Sequence, residues 1–89
     1  MLSACVGSPP IEEYNLARAA HDAAAESESS RYAQGLWYKA DDAYNNAIKL
    51  FKDRQHDEAR EEFVIARELL EKAENAARIQ RVQSGGVPQ

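Results

Sequence analysis

The chain has 89 residues, a formal net charge of −4 and one cysteine. A chain of this length forms one thin domain that buries a modest share of its surface. Its charges are interspersed with no basic stripe, which argues against nucleic acid as a partner, and no apolar run approaches the roughly 18 residues of a membrane-spanning helix.

Leu2-Ser3-Ala4-Cys5 is the first informative stretch. A branched apolar residue, two small residues and a cysteine resemble the lipobox of bacterial lipoproteins, whose cysteine becomes the acylated mature N-terminus. The resemblance implies a diacylglyceryl thioether on Cys5, an acylated amine, and a signal peptide whose charged and apolar segments precede the box. A free thiol in an unstructured N-terminus is the competing reading, and the cysteine has no partner for an internal disulfide. Lipoproteins kept in the inner membrane often carry Asp after the cysteine. Val6 stands there instead, so the resemblance implies the outer membrane, facing the periplasm. Residues 1–9 are expected to be a lipobox remnant and a flexible tether.

A three-helix domain is expected over residues 10–83. Ser8-Pro9-Pro10 supplies a capping hydroxyl and prolines where missing amide protons cost nothing, and Glu12-Glu13 suit the positive end of a first helix over about 10–27. Its apolar face is thin: Leu16 with Ala17, Ala20, Ala23 and Ala24. Polar, cap-prone residues from Glu26 to Ser30 break the pattern.

A second helix is expected over 34–53. Leu36, Ala40, Ala43, Ala47 and Leu50 share one stripe, and Trp37, Tyr44, Ile48 and Phe51 run along its flank. The small stripe should face the third helix and the bulky flank the first. The third helix, over 56–83, spaces Ala59, Phe63, Ala66, Leu70, Ala73 and Ala77 in steps of four and three, the spacing of a coiled-coil seam. Beside it lies a second line, Ile65, Leu69, Ala76 and Ile79. The short Arg54-Gln55 link forces these two helices into an antiparallel hairpin. Ser84-Gly85-Gly86-Val87-Pro88 ends the third helix, and residues 84–89 are expected to be a disordered tail.

Ala47, Ala59, Phe63 and Ala66 resemble the small-small-aromatic-small signature of one tetratricopeptide repeat. Ala43 replaces its early tryptophan, Arg54 its turn glycine and Glu71 its terminal proline, and no second repeat follows at a period near 34. The wider chain is similar to a family of short, alanine-rich bacterial envelope lipoproteins of unknown function. The matching pieces are Ala17-Arg18-Ala19-Ala20, the Tyr32-Ala33-Gln34 junction (with Gln34 for the family's proline) and the hairpin from Ala40 to Ala76. This resemblance implies a periplasmic helical module, and it brings no catalytic residues. The expected class is therefore all-α: a tetratricopeptide-like hairpin plus a shorter N-terminal helix.

Nothing in the pattern points to catalysis, a cofactor, a metal or a small-molecule substrate. His21 and His56 stand on different helices without clustered ligands. Asp41-Asp42 and Glu61-Glu62 belong to solvated stretches. Partner-binding candidates are Tyr38, which projects on the polar side of the second helix, and Ile65, Leu69 and Ile79, which exceed what the alanine face of the first helix can cover. Each large aliphatic side chain left wet forgoes about 1.5–3 kcal/mol of burial. The expected partner is an envelope protein or a second copy in a homodimer, with membrane contact through lipid alone. The alternative is a soluble tetratricopeptide-like adaptor or small chaperone without a lipid.

Overall fold

A computed structural model describes residues 7–85. Four helices follow one another: α1 Ile11–Glu26, α2 Ser29–Tyr32, α3 Gln34–Lys52 and α4 His56–Gln83. The described chain is all-helical, and the expected count of three is corrected to four. The added element is the single turn α2, where no apolar period announces a helix. Glu28 takes a left-handed conformation (φ 58°, ψ 42°) that ends α1. Its carbonyl then accepts from the Arg31 and Tyr32 amides and starts a new turn. Ser29 in that turn is fully buried, with α2 packed chiefly on α4. Tertiary contact, not local propensity, makes this helix.

α3 and α4 form an antiparallel hairpin sealed by alanine. Ala40 and Ala47 of α3 and Ala59, Ala66, Ala73 and Ala77 of α4 are wholly buried, and such small side chains let two helix axes approach closely. Phe63 and Leu70 are the largest fully buried apolar side chains of this seam. α1 runs beside α4 in the same direction, since Glu13 meets Arg60 near one end and Glu28 meets Arg81 near the other. It runs antiparallel to α3 and touches it mainly through Tyr14 and His21. The Tyr14 ring lies 5.9 Å from that of Phe51, and His21 lies 4.5 Å from Tyr44. The bulky flank of α3 thus meets α1 through aromatic rings. On α1 itself Ala17, Ala20 and Ala24 are buried while Leu16, grouped with them by sequence, is 46% exposed.

The hairpin turn contains a local strain. The Gln55 amide donates to Leu50 O at 2.9 Å and the Arg54 amide to Phe51 O at 3.0 Å. These two bonds make a Schellman ending, which needs a left-handed residue between cap and exit. Arg54 supplies it at φ 63°, the position where the repeat signature has glycine. An L-residue there costs about 1–2 kcal/mol, partly offset by the extra entropy glycine loses on folding. Arg54→Gly should therefore raise stability by roughly 0.5–1 kcal/mol, or a few degrees of melting temperature. An unchanged or lower melting point would show that the Arg54 side chain compensates the strain.

Candidate interaction surface

The apolar side chains marked by sequence reach three separate places. Ile65, 46% exposed, and the half-buried Leu69 line one open groove of about 620 Å³ between α3 and α4. Its floor continues onto Ala43, and its rim carries Lys39, Lys49, Asp42 and Glu62. α1 contributes nothing to this lining, so the first helix does not cover Ile65. The arrangement offers an apolar trough between charges of both signs. It suits apolar side chains whose flanks carry charges, as on an amphipathic helix.

Ile79 lies elsewhere, 52% exposed near the end of α4, where it forms an apolar patch with Val82 between Arg78 and Gln83. Tyr38 is 62% exposed on α3 and belongs to neither lining. Leu69 also packs against the buried core, which gives it a structural role besides its place in the groove. Leu2, Ser3, Ala4 and Cys5 lie outside the described residues.

Two features escaped the sequence pattern. Leu16 and Val64 are both exposed and line a smaller cleft between α1 and α4, flanked by Glu12, Glu13 and Arg67. His21 pairs with Asp41 of α3, not with its neighbour Asp22: Nε2 and Oδ1 are 2.9 Å apart. Its ring stacks on Tyr44 at 23° and lies 5.1 Å from the Trp37 ring. A hydrogen bond across twenty residues depends on how the helices register, which no local spacing reveals. The pair ties α1 to α3 where their backbones stay apart. Among the described residues no group of three or more His, Cys, Asp or Glu side chains is placed to hold a metal ion.

Burial pushes the Tyr44 hydroxyl above its ordinary value of 10.0, helped by Tyr14, Asp22 and Asp41 and opposed by Arg18. The folded chain thus holds this proton more tightly than the unfolded chain. Tyr44 then contributes full stability below the unfolded value and loses it as pH rises through the folded one. Melts between about pH 9 and about pH 11 should fall less steeply for Tyr44→Phe than for the parent chain. Equal alkaline slopes would refute this coupling.

No family model matches this chain, and neither the curated proteins nor the solved structures contain a match.

Proposed function

We propose that the chain is a lipid-anchored helical adaptor of the bacterial outer membrane, facing the periplasm. The location rests on the lipobox spelling Leu2-Ser3-Ala4-Cys5. The adaptor role is carried by one observation: large apolar side chains stay wet although the alanine seam beside them is fully closed. Ile65, Ile79 and Val82 are each exposed by more than two fifths, so the bundle has apolar surface that its own helices leave uncovered. The tetratricopeptide resemblance supports an interaction role as well, since Ala47, Ala59, Phe63 and Ala66 are all fully buried in the hairpin. The occupant of the groove is an envelope protein or a second copy of the chain. Anchoring in a membrane raises the effective concentration of such partners, so weak contacts suffice.

Fractionation of a bacterium carrying the gene with its upstream coding sequence tests the reading. Recovery in the outer-membrane fraction supports it. Recovery in the cytosol refutes the anchor and leaves the second reading, a soluble adaptor or small chaperone that uses the same hairpin.

A further inference from the structure

The groove between α3 and α4 carries a stripe that complements itself. Its α4 wall is formed by Glu62, Ile65 and Leu69, and the exposed Lys72 continues the line. The steps are three, four and three residues, so all four side chains share one face of the helix. Along α4 the order is acid, apolar, apolar, base. Two such stripes laid antiparallel set Glu62 against Lys72 at both ends and Ile65 against Leu69 in the middle. Laid parallel, they would set Glu62 against Glu62 and Lys72 against Lys72, and both pairs would repel. The charges are also free to pair. Arg60, Arg67, Arg78 and Arg81 of α4 each pair within the chain. Among the described residues Glu62 and Lys72 form no ion pair, and neither do Lys39 and Asp42 on the α3 rim.

We infer that the occupant of this groove is a second copy of the chain, packed face to face about a two-fold axis level with Arg67. The inference rests on the interaction role proposed above and is independent of any anchor. The same axis suits α3. Asp41 and Arg67 are equally far along the chain from Arg54, so in an antiparallel hairpin they stand level. Lys39 then comes within reach of Asp42 of the second copy, and both line the groove. The two hairpins make a four-helix bundle in which all neighbouring helices are antiparallel. Ile65, 46% exposed in the single chain, enters its core with Leu69 and Ala43. α1 stays outside, packed against α4 on the side of Val64 and Arg67. α3 has 19 residues and the molecule is 20 Å across, so the two faces bury roughly 1,000 Å² together, the size of a weak, reversible contact.

Sedimentation of the full chain from about 10 µM to about 1 mM tests the inference, with the thiol kept reduced so that no disulfide joins two copies. The 9.9 kDa chain should approach twice its mass at the upper end. Glu62→Lys and Lys72→Glu should each weaken association about tenfold, because both end pairs of the dimer turn repulsive. Circular dichroism checks that each variant keeps its helices. Mixed in equal amounts, the two variants should associate at least as well as the parent, since each supplies the charge that the other lacks. A parent chain that stays monomeric throughout would overturn the inference. So would single reversals that leave association unchanged, or a mixture no better than either variant alone. Fractionation of the cell reads the anchored adaptor separately, so failure of self-pairing and failure of that reading are distinguished.

Discussion

Phe63→Ala should lower the melting temperature by roughly 15–30 °C, the largest loss of any single truncation in this fold. Phe63 is fully buried, and it touches aromatic rings from both other long helices. Its ring centroid lies 5.5 Å from Tyr14, 6.3 Å from Tyr44 and 6.1 Å from Phe51, all in edge-on arrangements. Truncating a buried phenylalanine costs about 3–5 kcal/mol through lost transfer energy and the cavity left behind. The surroundings cannot collapse to fill it, because the neighbours are rings on two other helices and alanines with nothing to extend. A domain of this size has about 4–13 kcal/mol of stability in total, so the variant retains little or none of a low value. Ile65→Ala is the control. Its side chain is 46% exposed, so truncation should cost about 1 kcal/mol or less. Melts followed by circular dichroism separate the two, and similar losses in both would contradict a core centred on Phe63.

If the chain is the lipid-anchored adaptor proposed above, Cys5→Ala should remove it from the outer-membrane fraction altogether. Without the thiol no thioether can form. Among the described residues no helix is long and apolar enough to cross a membrane. Lipid chains gain about 0.8 kcal/mol per buried methylene, and several chains together hold firmly where a single one binds only reversibly. On that reading the thioether and the acylated amine both depend on Cys5, so the expected loss is complete and not graded. Retention of Cys5→Ala in the outer membrane would mean that protein contacts hold it there.

The alanine pattern made the hairpin readable. In Ala40, Ala43 and Ala47, and in Ala59, Ala66, Ala73 and Ala77, the period itself marks the buried face, and small size marks where two helices close. Arg54 was visible as an oddity in a glycine position, though only the backbone shows that it takes the left-handed conformation itself. The turn α2 was not legible. Ser29-Ser30-Arg31-Tyr32 has no apolar period, and its helix follows from Glu28 reversing the chain and Ser29 being buried.

The surface was legible in part. Ile65 and Ile79 lie on one side of a helical wheel, yet α3 flanks the groove holding Ile65 and plays no part in the patch around Ile79. One stripe therefore becomes two surfaces. Contacts between helices escaped for the same physical reason. The His21–Asp41 pair and the hydrogen bond from Arg60 to the Ser8 carbonyl span 20 and 52 residues. Both depend on helix register, which hydrophobic period leaves free by a turn or more.

The most direct test of a lipid-anchored adaptor is the mass of its N-terminal peptide, taken from the membrane fraction of a bacterium expressing the gene with its upstream coding sequence. A peptide that begins at Cys5 and carries the mass of a diacyl or triacyl modification is the predicted result. An unmodified peptide running from Met1 through Cys5, recovered from the cytosol, would contradict the anchor.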